Sequence, residues 1–270
     1  MRKSNMLLAA ITGLMTCTGA FAASIKVDGD LVKDWKIDPA TWQTGKPHVQ
    51  TAIEDQTGSG AYYLGPGWGG QAYDAEALYA LIEGNTLFIA LATGHNPNTS
   101  NNPAANSYGA GDFAIDFGKN GSYEVGINVK PGWDTFGVAG GVYKNPTWAL
   151  GLWNSSGAYN PGNPDPLHPT SMTAGTYVGL AELAISAGKT GYGAKASDVH
   201  YFYEIGLSLD LLRQAGWNGT DAFNIHWTEN CANDSILVDP PGGQVPEPGT
   251  LALLPLGLLS LAALRRRKSA

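Results

Sequence analysis

The sequence predicts an all-β fold: an antiparallel β-sandwich, jelly-roll or immunoglobulin-like, with long loops and one short helix. Hydrophobic segments flank it, an N-terminal signal and a C-terminal helix. Three observations predict this. Between residues 24 and 239 apolar residues recur with period two and rarely with period 3.6. Gly (36) and Pro (16) punctuate the 270 residues, and they supply the turns that many short strands need. Only 14% of residues are charged, below the usual quarter, while 43% are hydrophobic, enough to fill a core. The uncharged polar residues are mostly Asn, Ser and Thr, the profile of a loop-rich extracellular β-protein rather than a helical cytosolic enzyme.

The elements follow in order. Ala77–Glu83 and Thr86–Ala92, joined by Gly84-Asn85, read as a hairpin. Asp112–Phe117 and Ser122–Val129, joined by Gly118–Gly121, read as a second. Phe113, Ile115 and Phe117 share one face there, and Asp112 and Asp116 point the other way. Further strands are expected at 134–143, 146–153, 176–186, 198–207, 222–228 and 235–238. In the 198–207 segment Val199, Tyr201, Tyr203, Ile205 and Leu207 alternate toward the core. Phe223, Ile225 and Trp227 repeat the pattern. The one expected helix is capped by Ser208, turns Leu209, Leu211 and Leu212 inward, and ends at Gly216. Two long loops, 94–111 and 154–175, interrupt the strands, and loops of that length are functional or mobile.

The ends are of another kind. Met1-Arg2-Lys3, an apolar run from Met6 to Met15, and Ala20-Phe21-Ala22 are the three parts of a secretory signal peptide. Cleavage is expected after Ala22 or Ala23. The alternatives are an N-terminal core helix and a lipoprotein site at Cys17. At the other end, Leu251–Leu264 holds 14 uncharged residues. As a helix they span roughly 21 Å, against about 30 Å of hydrocarbon. Pro255 and Gly257 weaken that helix, and the basic residues 265–268 stay cytoplasmic by the positive-inside rule. The stretch is a poor permanent span and a workable stop signal during export.

Pro246-Glu247-Pro248, an apolar stretch and then Arg265-Arg266-Arg267 resemble the PEP-CTERM sorting signal. That resemblance implies an exosortase, a membrane cysteine protease-transpeptidase, as the partner that recognises the tripeptide and removes the tail. The same tail is sometimes labelled an ice-binding protein C-terminal domain, a label for the tail alone. A plain C-terminal anchor helix is the alternative. The expected organisation is a signal peptide (1–23), a β-sandwich domain (24–239), a linker carrying the tripeptide (240–250), a hydrophobic sorting helix (251–264) and a basic cytoplasmic end (265–270). With Cys17 removed, only Cys231 remains, so no intramolecular disulfide forms. It is expected to be buried at the end of an apolar strand; the alternative is that it pairs between chains.

The mature chain opens with Ile25-Lys-Val-Asp-Gly-Asp-Leu-Val-Lys-Asp-Trp35, which resembles the opening of carbohydrate-binding-module family 9-like and DOMON-like sandwiches. GDFAIDFG, YEVGINV and HWTENCANDSI are similar to a recurrent exosortase-dependent surface-protein domain, with Ala232 where its usual Gly stands. These likenesses imply fold and location rather than activity.

Chemistry is sparse. The net charge is −7, and six of the 16 basic residues lie at the two ends. The middle therefore carries about 10 positive charges against about 23 negative ones. Such a surface repels nucleic acid and suits cations. Asp28, Asp30 and Asp34 lie close together in sequence. Asp112, Asp116, Asn233 and Asp234 lie at strand ends or on a polar face. These oxygen donors are the candidates for structural calcium, Asp28, Asp30, Asp112, Asp116, Asn233 and Asp234 foremost. The competing reading has them shaping turns and satisfying backbone groups. His48, His95, His168, His200 and His226 have no metal spacing, and His226 reads as structural. G-x-S-x-G, H-E-x-x-H and P-loop patterns are absent; Asp112 and Asp116 offer the one glycosidase-like pair. Aromatic faces stack on sugars or proteins, and Trp68, Trp133, Trp148, Trp153, Tyr63 and Tyr159 lie in or beside loops. The alternative is that they pin loops to the sandwich.

The expected function is an exported, exosortase-processed protein of the cell surface or extracellular matrix, without catalysis. A carbohydrate-binding module and a glycan-active hydrolase are the alternatives. The expected partners are the export machinery, signal peptidase, exosortase and extracellular polysaccharide.

Overall fold

A computed structural model describes residues 25–55, 69–129 and 134–240. The predicted signal peptide, with Ala20, Ala22 and Ala23, and all residues from 241 onward lie outside the described residues. Two antiparallel sheets face each other. The five-stranded sheet contains β1 (Gln50–Ile53), β2 (Ala75–Glu83), β3 (Thr86–Thr93), β9 (Tyr201–Ser208) and β8 (Glu182–Ile185), in that spatial order. The six-stranded sheet runs β11 (Ser235–Val238), β10 (Phe223–Thr228), β4 (Phe113–Phe117), β5 (Val125–Ile127), β6 (Gly141–Leu150) and β7 (Pro169–Leu180). The predicted sandwich is the observed architecture.

The core between the sheets follows period-two logic. Leu78 and Ala80, Leu87, Ile89 and Leu91, and Tyr203, Ile205 and Leu207 come from one sheet. Phe113 and Ile115, Val125 and Ile127, Phe223, Ile225 and Trp227, and Ile236 and Val238 come from the other. β2 and β3 read as nearly unbroken apolar runs because they are buried on both faces. Their outer side carries a second core, in which Ala77, Tyr79, Leu81, Phe88, Ala90, Ala92 and Phe202 pack against Ile25, Leu31, Trp35, Ile37 and Trp42. The first residues of the described chain thus form a cover over the five-stranded sheet.

That cover hangs on one carboxylate. Glu204 lies on the outer face of β9, between Tyr203 and Ile205, and is buried. Its Oε2 accepts from the backbone N–H groups of Asp28, Gly29 and Asp30, and its Oε1 accepts from Trp35 Nε1 at 2.7 Å. Gly29 is required at that turn, with φ +80° and Ser186 N only 3.3 Å from where a Cβ would sit. Asp30 then caps a one-turn helix, α1 (Leu31–Asp34), through Val32 N. This helix is an addition to the single one expected, and its cap residue is the sequence signal for it. The expected helix is present as α2 (Leu209–Ala215), with Ser208 as cap and Gly216 as terminator.

Four strand boundaries differ from expectation. Residues 134–143 and 146–153 were expected as two strands, but one strand, β6, passes through Pro146. The register with β7 shifts between Lys144 and Thr147, and Asn145 takes φ +49°. A bulge is where a strand tolerates proline. The expected 176–186 strand is two: β7 ends at Leu180, Ala181 N bonds to Gly140 O, and Glu182 begins β8 in the other sheet. Sandwich corners are made by such sheet-switching segments. The predicted 154–175 loop is shorter than expected, since β7 starts at Pro169. Val199 is exposed and β9 starts only at Tyr201, so the expected core alternation begins later than Val199.

Among the described residues no helix is long and apolar enough to cross a membrane. The fold yields a first prediction. Glu204→Ala removes the shared acceptor of three backbone N–H groups and an indole N–H; Asp30 N keeps Asp28 Oδ1, and each buried donor left unpaired, Gly29 N and Trp35 Nε1 foremost, costs about 1–3 kcal/mol. We expect at least about 3 kcal/mol lower stability in urea, with new protease cuts between residues 25 and 49; an unchanged urea midpoint would contradict this role.

Candidate metal centre

The least ordinary feature of the molecule is a group of carboxylates inside it. Two enter from the end of β1: Glu54 and Asp55, whose N–H groups donate to Glu76 O at 2.8 and 3.3 Å. Two flank the start of β2: Asp74, which follows a 3-10 turn at Gln71–Tyr73, and Glu76. Two come from the connection between β10 and β11 in the opposite sheet: Glu229 and Asp234. Asp74, Glu76, Glu229 and Asp234 are fully or almost fully buried. Asp234 Oδ2 accepts from Ala75 N at 2.7 Å, so this end of the sandwich is tied across its sheets.

Local backbone features aim these side chains. Ala75 pairs with Thr93 and Ala77 with Ala92, so Glu76 is the extra residue of a bulge in β2. Bulges re-aim a side chain and recur next to functional sites. Glu76 Oε1 is fixed by Gln71 Nε2 at 2.7 Å and His200 Nε2 at 3.0 Å. Among the described residues its Oε2 has no hydrogen-bond partner. His200 in turn lies edge-on to Trp42, with centroids 5.3 Å apart. Asp55 Oδ2 accepts from Trp42 Nε1 and Ala194 N, both at 2.9 Å, leaving Oδ1 outside those bonds. Among the described residues no complete hydrogen bond reaches either carboxyl oxygen of Asp74 or of Glu229; Asp74 meets the Asp234 carboxyl, and the backbone N–H groups of Glu229 and Asp234 approach that of Glu229. One potential ligand atom each from Asp55, Asp74 and Glu76 lies within 4.8 Å of the others.

The electrostatics follow from burial. Loss of water raises Asp74 to about 8, and the neighbouring Glu76 and Asp234 add to the rise. Desolvation raises Glu54 to about 7 against a lowering hydrogen bond from Asp234. Glu76 is raised by burial in spite of His200. Glu229 is driven well above the carboxylate range by burial and then by Asp234. Cys231 is buried, as expected, and burial pushes its thiol up. The donor set is all oxygen, which suits calcium rather than the Cys/His environment of zinc.

The sequence-predicted ligands are placed as follows. Asp28 Oδ1 accepts from Asp30 N, and its Oδ2 pairs with Lys26 Nζ at 3.1 Å. Asp30 caps α1, and Asp34 accepts from Lys26 N. These are turn-forming roles beside Glu204. Asp112 accepts from Val129 N and Met172 N. Asp116 accepts from Asn120 N and Gly121 N, closing the β4–β5 turn. Asn233 Oδ1 accepts from Trp153 Nε1 at 3.0 Å. Asp234 alone among the six candidates lies in the carboxylate group. Trp148 bonds Tyr123 O and reaches over Gly126, and Trp153 is buried with the exposed Tyr159 edge-on to it. Tyr63, Trp68 and Trp133 lie outside the described residues, as do Pro246, Glu247, Pro248, Arg265, Arg266 and Arg267. His226 is buried beside His168 and Tyr123, and burial lowers it to about 3, in keeping with a structural histidine.

Sequence reasoning missed Glu54, Asp55, Asp74, Glu76 and Glu229. The available signal was Asp74-Ala-Glu76 entering a strand with no polar face: a carboxylate there cannot reach water.

The tail is decided by comparison with known families. Residues 244–268 match the PEP-CTERM protein-sorting motif. The PEP-CTERM motif marks an exported protein, sorted at the membrane through its C-terminal tail and processed by an exosortase. No curated protein matches the chain, and nothing found supports the ice-binding label or the family 9 likeness.

The cluster sets a pH dependence. In the unfolded chain Asp74 and Glu54 ionise near 4, whereas the metal-free fold holds them protonated to about 8 and about 7. Between those limits the folded state binds more protons than the unfolded one, so stability falls as pH rises. Chelator-treated protein is expected to lose melting temperature from about pH 4 to about pH 8, and Asp74→Asn to flatten that slope; a melting temperature that climbs over this window in both proteins would contradict it.

Proposed function

We propose that this is a non-catalytic protein of the extracellular matrix, delivered by its sorting motif and held in secreted polysaccharide or at the cell surface. The observation that carries the reading is the PEP-CTERM motif at 244–268 behind a two-sheet domain. The carboxylate pair that a hydrolase reading needs supports it too. Asp112 and Asp116 are buried and occupied by backbone N–H groups. Four residues apart in extended chain, their Cα atoms stand about 13 Å apart, a wide spacing beside the roughly 5–9.5 Å between the carboxyl groups of glycosidase pairs.

A carbohydrate-binding role is the second reading, favoured by one groove. It has a volume of about 280 Å³ and lies between the 101–108 segment and the β6–β7 pair. Asn101, Tyr108, Asp134, Ser171, Thr173 and Asn230 line it, and Ser171 Oγ donates to Asn230 Oδ1. A ring face beside several amide and hydroxyl groups is the chemistry that recognises a sugar.

Mass spectrometry and fractionation test the first reading. The mature protein should lack the tail after Pro246-Glu247-Pro248 and co-fractionate with extracellular polysaccharide. Recovery with Arg265–Arg267 still attached would overturn the sorting part. For the groove, affinity electrophoresis through the producing cell's own polysaccharide should show retardation that Tyr108→Ala weakens about tenfold, the effect of losing one stacking face worth about 1.4 kcal/mol. Equal mobility with and without polysaccharide would leave the matrix reading without the groove.

A further inference from the structure

We infer that the buried carboxylates at the β1–β2 end of the sandwich are a calcium site, centred on Asp55, Asp74 and Glu76 and facing Glu229 and Asp234 of the opposite sheet. The inference does not rest on the matrix reading.

Four observations carry it. The ligand atoms of Asp55, Asp74 and Glu76 are within 4.8 Å of one another. Oxygens on one calcium, each 2.3–2.6 Å from it, stand at most about 5 Å apart. Next, Asp74 and Glu229 are 0% exposed, and among the described residues no complete hydrogen bond reaches any of their four carboxyl oxygens: Asp74 meets the Asp234 carboxyl, and the N–H groups of Glu229 and Asp234 approach the Glu229 carboxyl without completing one. An ordinary buried carboxylate in this molecule is treated differently: Glu204 has four donors and Asp112 has at least two. Third, Glu76 Oε1 is held by Gln71 and His200 while Oε2 is left without a partner, the arrangement of a ligand oriented by a second layer of bonds. Fourth, a bulge turns Glu76 toward the group at the cost of a regular β2–β3 ladder.

The chemistry selects the ion. Calcium takes six to eight oxygens in loose geometry, whereas magnesium demands a strict octahedron and keeps several waters. A group of carboxylates in a dry interior offers oxygens in plenty and little room for water. Asp234 Oδ2 already ties β2 to the opposite sheet through Ala75 N, and an ion held by Asp55, Asp74 and Glu76 beside Glu229 and Asp234 adds a clamp at that seam. The clamp also explains how acidic side chains from β1, β2 and the β10–β11 connection can share one interior: two positive charges replace the protons that burial otherwise forces onto them.

The test uses the exported protein purified from its producer, stripped with chelator and passed into ion-free buffer. Titration calorimetry should show calcium binding, and at a hundredfold excess over Kd the melting temperature should rise by roughly 5–10 °C. Asp74→Asn and Glu229→Gln should each lose most of that rise while the ion-free variants melt no lower than the ion-free wild type. Asp28→Asn, in the exposed N-terminal turn, should keep the full response. The assignment is overturned if chelated protein neither binds calcium nor changes melting temperature on adding it. It is also overturned if Asp28→Asn, and not Asp74→Asn, abolishes the response, or if magnesium gives an equal one. Should Asp74→Asn not fold, Glu76→Gln under the same titration decides the matter, because loss of the rise supports the site and retention refutes it.

Discussion

A carboxylate taken out of water has to be matched by donors, by a proton or by a cation, and this constraint organises the molecule. The central strands of the five-stranded sheet are buried on both faces, so an acidic side chain in the middle of them meets the constraint in full. Glu204 meets it with donors. Its oxygens gather three backbone N–H groups and an indole N–H, and in doing so they fasten the N-terminal cover over the sheet. The same group of contacts makes sense of the Asp28-Gly29-Asp30 turn and of the buried Trp35.

Asp74, Glu76, Glu229 and Asp234 present the opposite case. They converge where β2 begins and β10 hands over to β11, and among the described residues Asp74, Glu229 and Glu76 Oε2 receive no complete hydrogen bond. Replacing a buried charge by a hydrocarbon of similar size is often neutral or stabilising, so packing alone gives no reason to keep four acidic residues there. A bound cation gives one. It turns a repulsive cluster into a contact that joins the sheets, and it makes stability depend on the ionic composition of the compartment that the sorting motif selects.

How much of this was legible in the sequence depends on what each residue reports. Periodicity reported the sheets, because Phe113, Ile115, Phe117 and Tyr203, Ile205, Leu207 alternate as strands must. Ser208 and Gly216 reported the helix. Punctuation misled at Pro146, where a bulge at Asn145 carries the strand past a residue that normally breaks one. It misled again at 180–182, where an unbroken run of strand-forming residues changes sheets. The site was illegible for a different reason. Asp28, Asp30, Asp112 and Asp116 look like ligands because they are acidic and clustered or face-sharing, yet each is occupied by neighbouring backbone N–H groups. Asp74 and Glu229 are separated by more than 150 positions and become neighbours only through sheet-on-sheet packing. Asp234 was found because it adjoins Asn233 in a polar turn, not because its partners were visible.

The central claim, that these carboxylates share a calcium ion, is tested most directly by anomalous diffraction from crystals of the exported protein grown in calcium and soaked in terbium. The account predicts a strong anomalous peak among Asp55, Asp74 and Glu76, at coordination distance from Asp74. A map without density there, with Asp74 and Glu229 instead hydrogen-bonded as protonated acids, would contradict it.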